Sequence, residues 1–492
     1  MVLLSLILII VFFHVYKLGQ IPTGFHIDET SIANNAYAIA KTGTDEYGFR
    51  YPLYFRAFGE YKNPVYIYVS AFLYKFIVFS EGTLRLASVV FFMVFLSGFY
   101  MLVKAVFPES RLTHFYALVS AGFLPCFFAV SRVAFEAVSV LALIVWFLYF
   151  TYITYEKGKL HIYAFITGLI LGFSIYTYTS MRLLAFLMAM LLVFAYRGMD
   201  FYRRNLFFIA GLIPSLIVFL VFTVNNTDAV MSRFNSTTYL YDDSTGIFEK
   251  IFMFIKNYLL YFSIDFLVLK GDVNLLFNTA SMGVLFIPVF ILFIFSIFIV
   301  FKRKMYRNEP FTRLLILFLI VSPVTGALTI DAPHTLRALL TGVFILIFSC
   351  YGFNEILKYK KKILLVTIVF SVTALQCCYY LYDYFYLYPQ RSLSSFYGYG
   401  FKYAFRKGID YNPSDFKMHQ MPLTYVNFYK TIFENEGTFY SKAKFIPAKG
   451  KCILYDKKRF MVKTDVDQFC GGSNSYDDGL EDSIFRVRCC KE

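Results

Sequence analysis

Charge is scarce in this 492-residue chain: Asp, Glu, Lys and Arg make up 16%, where a soluble globular domain carries about 25%. That deficit, with 58% hydrophobic residues including 61 Phe and 41 Tyr, excludes an ordinary soluble protein and a disordered or collagen-like chain. The eight cysteines are too few for a disulfide-rich secreted scaffold, and without paired C-x-x-C spacing they do not support a zinc site. No Gly-rich fingerprint of a nucleotide-binding βαβ unit occurs. No internal repeat is evident, which disfavours a transporter built from symmetric halves. The net charge of +15 would attract nucleic acid, but the basic residues fall in short clusters between apolar blocks. Loops held on the cytoplasmic side of a membrane have that pattern, so no nucleic-acid partner is expected.

Eleven blocks are apolar enough to span a hydrocarbon core of about 30 Å. They cover residues 1–17, 84–107, 113–130, 138–155, 160–177, 181–198, 206–224, 281–301, 313–330, 337–353 and 363–382. Alternate loops carry the positive charge: Lys104 and Arg111; Lys157 and Lys159; Arg197, Arg203 and Arg204; Lys302, Arg303, Lys304 and Arg307; Lys358, Lys360, Lys361 and Lys362. The positive-inside rule puts these loops and the N-terminus in the cytoplasm and the C-terminus outside. The first block lacks the basic flank and small-x-small site of a cleaved signal peptide and reads as a span. Residues 64–80 read as a helix lying in the interface, because a twelfth span would turn every later basic loop outward.

The expected fold class is therefore an all-α polytopic membrane protein with outside juxtamembrane helices. Residues 1–382 form the membrane domain, with outside loops 18–83 and 225–280. Residues 383–492 form a small mixed extracytoplasmic domain. Its cysteines, Cys452, Cys470, Cys489 and Cys490, lie where disulfides persist, and one or two bridges of open pairing are expected. Cys126, Cys350, Cys377 and Cys378 fall in or beside spans as packing residues. The Phe-, Tyr-, Lys- and Ile-rich usage fits an AT-rich bacterial genome, hence the bacterial inner membrane.

Candidate chemistry collects at the outer ends of the spans. Asp28 and Glu29 follow the first span, where Ile32, Ala36, Ile39 and Ala40 recur at helical spacing. Asp28 reads either as the N-cap of that helix or as a catalytic carboxylate. Lys62 opens the interfacial stretch and can snorkel to head groups or bind one phosphate. Arg132 and Glu136, Arg182, and His334 with Arg337 sit in further outer loops; each can be an interfacial anchor. Together they put acids and bases on one face, as a lipid-phosphate site requires.

These residues resemble landmarks of the GT-C membrane glycosyltransferases, among them relatives of protein O-mannosyltransferases and of the lipid A aminoarabinose transferase. The matching features are Pro22-x-Gly24-x-x-x-Asp28-Glu29, Lys62-Asn63-Pro64 as a variant of Lys-Pro-Pro, and Arg85-Leu86. Ser131-Arg132 to Glu136, Tyr176 to Arg182, Gly271-Asp272-Val273-Asn274 and Pro333-His334-x-x-Arg337 also match.

The resemblance covers roughly residues 1–400. It implies transfer of a hexosyl or pentosyl group from a polyprenyl-phosphate donor to a hydroxyl of a lipid, glycan or protein acceptor outside the membrane, with inversion. Asp28 is then the general base, with Glu29 beside it. Lys62, Arg182 and Arg337 hold the donor phosphate, and Arg132, Glu136, Asp272 and His334 bind substrate. If two carboxylates approach, one pKa rises. No metal is assigned, although carboxylates with His26 or His334 leave room for a divalent cation. A transporter, flippase or binding protein for a lipid-linked saccharide is the rival class; it would carry ionisable residues in mid-span.

The topology predicts that a single cysteine placed by Lys360→Cys stays unlabelled by a membrane-impermeant maleimide applied to intact cells. Labelling from outside contradicts it.

Overall fold

The computed structural model describes residues 2–158, 160–198, 202–242, 244–392, 395, 424–425, 427–429, 431–432, 452–456, 475–481 and 485–490. Each of the eleven apolar blocks contains a helix. Among the described residues, seven helices are long and apolar enough to cross a membrane, and five shorter apolar helices accompany them. The chain is thus a multi-pass membrane protein.

α1 (Val2–Val15) buries Leu6, Ile10 and His14 on one face and leaves Leu4 and Leu8 exposed. That is the one-sided pattern of a helix at the edge of a bundle. α2 (Ile27–Thr42) follows, then a hairpin of β1 (Phe55–Ala57) and β2 (Glu60–Lys62) in antiparallel register. α3 (Pro64–Tyr74) starts with proline in its first turn. Its 11 residues extend about 17 Å, too short to cross a bilayer, in keeping with an interfacial helix. α4 (Glu81–Val106) carries its 26 residues about 39 Å, from the Asp28 end of the bundle to the end that bears Lys104.

One further apolar helix, Ile247–Leu260, lies within residues 225–280, read from sequence as an outside loop. Ile247, Phe248, Ile251, Phe252, Ile255 and Leu259 make one exposed apolar face. Glu249, Lys250 and Lys256 interrupt the run, so no continuous apolar block reveals this helix.

The interior is held by two arginines. Arg132 was expected at the substrate, and the structure instead buries it against the C-terminal end of α1. Its guanidinium donates to the carbonyls of Phe13, His14 and Tyr16 at 2.6, 2.8 and 2.7 Å, which the helix end leaves without partners. Arg85 of α4 forms a two-bonded pair with Glu29 at 2.9 and 3.0 Å, both side chains fully buried. It also donates to the carbonyls of Pro22 and Gly24 at 2.9 and 2.7 Å. Gly24 takes φ 92°, a conformation side-chain-bearing residues resist. The Pro22-x-Gly24-x-x-x-Asp28-Glu29 pattern is therefore a strand of carbonyls and one carboxylate wrapped around a single guanidinium.

Part of the tail reaches this junction. Phe428 stacks on Phe25 with centroids 4.7 Å apart, and Tyr425 Oη donates to the Phe25 carbonyl at 3.0 Å. Strands Cys452–Asp456 and Ser475–Glu481 flank Phe485–Cys490 in an antiparallel sheet. The side chains of Cys452, Cys470, Cys489 and Cys490, and hence the expected disulfides, lie outside the described residues. Cys126 and Cys350 are buried and Cys378 is exposed.

Removing one partner of a buried pair leaves an uncompensated charge. Arg85→Ala is expected to cost about 3–5 kcal/mol and to lower the thermal midpoint of the detergent-purified protein. An unchanged midpoint contradicts the anchoring role.

Candidate active site

The first turn of α2 sets the position of Asp28. His26, not Asp28, is the N-cap: its backbone is extended and its Nδ1 accepts from the Asp28 N–H at 3.2 Å. Glu29 closes the capping box by accepting from the His26 N–H at 2.9 Å. The cap reading of Asp28 is thereby corrected, and its carboxylate is free to face away from the helix. Glu29 spends its other oxygen on Arg85 and the Ala134 N–H, at 3.0 Å for the latter, and does not line the cavity beside Asp28.

Lys62 reaches Asp28 from the end of the β1–β2 hairpin, whose turn holds Phe58 and Gly59 at positive φ. Its Nζ donates to Asp28 Oδ1 at 2.6 Å. Asn63, the residue that departs from the Lys-Pro-Pro pattern, donates to Glu136 through its backbone N–H at 2.7 Å and its Nδ2 at 2.9 Å. Proline at that position has neither donor, so the substitution builds a grip on Glu136.

The two carboxylates are driven apart. Burial opposes ionisation of Asp28, but the Lys62 ammonium and His26 outweigh it and hold the carboxyl well below the usual range. Burial raises the Glu136 carboxyl above its ordinary value, against the pull of Lys62 and Asn63. Of Asp28 and Glu136, the one that rises is Glu136.

One cavity is lined by Asp28, Lys62, Glu136, His334 and Arg337, bringing together residues from three separate outer segments. Arg337 Nη1 donates to Thr329 Oγ1 at 2.7 Å. The His334 imidazole is lowered to about 3 by burial and by Arg337 and Arg233, so it is neutral. Two expected residues stand behind the wall. Arg182 donates to the Val230 carbonyl at 2.8 Å and more distantly to Asn63 Oδ1, at 3.4 Å. Asp272 is buried and accepts from the Thr335 and Asn274 N–H groups at 2.8 and 2.9 Å.

Sequence reading missed several lining residues. Arg233, on the helix Thr227–Thr237, forms two bonds to Glu60 of β2 at 2.7 and 2.8 Å across the cavity mouth. Tyr178 and Phe277 also line it. Lone residues outside the apolar blocks carry no periodic signal that would mark them. Among the described residues, no three His, Cys, Asp or Glu side chains converge as a metal site would need. Beside Asp28, the Lys62 ammonium supplies a positive charge to the carboxylate.

By sequence the chain matches no family model and no curated protein. Its structure is similar to that of ArnT from Cupriavidus metallidurans in the apo state, with a TM-score of 0.59 at 10% identity over 99% of this chain and 96% of that one. The overall fold is that of ArnT. ArnT bound to undecaprenyl phosphate matches with a TM-score of 0.57, 10% identity and coverage of 99% and 97%. The Archaeoglobus fulgidus oligosaccharyltransferase AglB, in complex with an inhibitory peptide and a dolichol-phosphate, matches with a TM-score of 0.51 at 13% identity over 91% of this chain. This chain spans 61% of that longer protein.

Because the folded Asp28 carboxyl is depressed, its stabilising contribution is present above about pH 4, the ordinary carboxylate value, and is lost as pH falls below it. Lys62→Met is expected to lower the thermal midpoint at pH 7, with the gap to wild type narrowing towards about pH 3. A gap independent of pH contradicts the pairing.

Proposed function

We propose that this chain is a membrane glycosyltransferase that moves a sugar from a polyprenyl-phosphate donor to an acceptor hydroxyl at the extracytoplasmic face of a bacterial inner membrane. The observation that carries this reading is the Asp28–Lys62 pair in one cavity with Arg337 and Arg233. One carboxylate for a hydroxyl proton beside several cations for one phosphate is the set of groups such a transfer needs. The GT-C fold supports it, as do the lipid phosphates bound by ArnT and by the archaeal enzyme.

The reaction is a displacement at the anomeric carbon. The acceptor oxygen forms the new bond from the face opposite the phosphate, the anomeric carbon–oxygen bond to phosphate breaks, and its electron pair leaves on the polyprenyl phosphate. The acceptor's proton passes to Asp28. A strongly depressed carboxyl is a weak base, and the donor resolves that conflict. Its phosphate competes for Lys62, and once the ammonium turns to it, burial raises the Asp28 carboxyl towards a useful base. Arg337, with Arg233 exchanging Glu60 for phosphate, offsets the charge that grows on the leaving group. In this reading Glu29 and Asp272 are positioning residues, Arg182 acts through Asn63, and Glu136 orders the Lys62 segment. The sugar is a hexose or pentose, and no metal is required by these steps.

The test is transfer in membranes from radiolabelled polyprenyl-phosphate sugars. Asp28→Asn is expected to cut transfer by about 10²–10⁴-fold. Arg337→Ala is expected to lower it as well. Undiminished transfer by Asp28→Asn removes the base assignment.

A further inference from the structure

A buried atom without a partner marks a second part of the cavity. His334 Nδ1 is enclosed and has no hydrogen-bond partner among the described residues, although His334 lines the same cavity as Asp28. Buried polar groups are nearly always paired, so an unfilled one facing a cavity calls for a partner from outside the chain.

The imidazole stands against Phe277 with ring centroids 4.4 Å apart, and Phe277 continues into Phe135 at 5.3 Å. The wall is held in place. The Asp272 carboxylate bridges the two segments that carry it, accepting from Asn274 N–H with one oxygen and Thr335 N–H with the other. The His334 backbone N–H is fixed by Tyr261 Oη at 3.1 Å.

We propose that His334 and Phe277 form the subsite for the transferred sugar, with a ring hydroxyl bonded to His334 Nδ1 and an apolar C–H face of the sugar lying on Phe277. This rests on the glycosyltransferase reading. Being neutral, the imidazole adds no positive charge for a phosphate, and it presents one donor and one acceptor nitrogen, which suits hydroxyls. Phosphate has better partners in Lys62, Arg337 and Arg233. Arg337 lies three residues beyond His334, so a phosphate held there leaves its sugar beside the imidazole.

The test measures ligand-induced thermal stabilisation of the full chain in detergent. The probes are polyprenyl phosphate alone and polyprenyl phosphate carrying mannose, glucose or 4-amino-4-deoxyarabinose. Wild type is expected to bind at least one sugar-bearing lipid more tightly than the bare one. His334→Phe, which keeps the ring, is expected to leave bare-lipid affinity unchanged and to reduce the sugar preference by roughly 3–10-fold, the worth of one hydrogen bond. His334→Gln is expected to retain part of that preference. Equal loss for both lipids assigns His334 to the phosphate and overturns the proposal, as does an unchanged preference or no preference in wild type. If wild type binds neither kind of lipid, the glycosyltransferase reading itself falls.

Discussion

The Glu29–Arg85 pair is the constraint on which the outer end of this protein depends. One guanidinium, inside the start of α4, gathers the carboxylate of Glu29 and the carbonyls of the loop that leaves α1. Each of those groups would be costly to bury alone, and each satisfies another. The same carboxylate caps α2 through His26 and ties Ala134 to it. The residue next to it, Asp28, thereby gains a fixed backbone while its carboxylate lines the cavity.

That division of labour between adjacent acids explains why two carboxylates stand side by side. Glu29 is saturated by a buried partner and is structural. Asp28 is half-buried, faces a cavity and, among the described residues, is matched by a lysine on a hairpin and a nearby histidine. Lys62 in turn lies within reach of a second acid, Glu136, that Asn63 holds from two donors. Acids and bases are therefore close to balance along the cavity, and in the proposed reaction an incoming phosphate takes the Lys62 ammonium from Asp28. The other wall of the cavity is aromatic and neutral.

Much of the fold was legible because apolar runs and basic loops are long-range signals: all eleven blocks contain helices, and residues 64–80 hold the 11-residue α3. The helix Ile247–Leu260 escaped because its apolar residues are spread around three charges and emerge only at helical spacing. In the site, Asp28, Lys62, Glu136, His334 and Arg337 were readable as charged groups at span ends. The same reasoning misjudged Arg132 and Glu29, since sequence cannot distinguish a charge facing a cavity from one that closes a helix end or a capping box. Arg233 and Phe277 had no pattern to betray them, and Tyr178 lay within the Tyr176-to-Arg182 landmark without being singled out.

The account is tested most directly by a density map of the protein with polyprenyl phosphate bound. It predicts the phosphate in contact with Lys62 and Arg337, inside the cavity that Asp28 lines, with Lys62 drawn away from the Asp28 carboxylate. A phosphate seated elsewhere, with the Lys62–Asp28 pair intact and His334 facing an empty cavity, would contradict it.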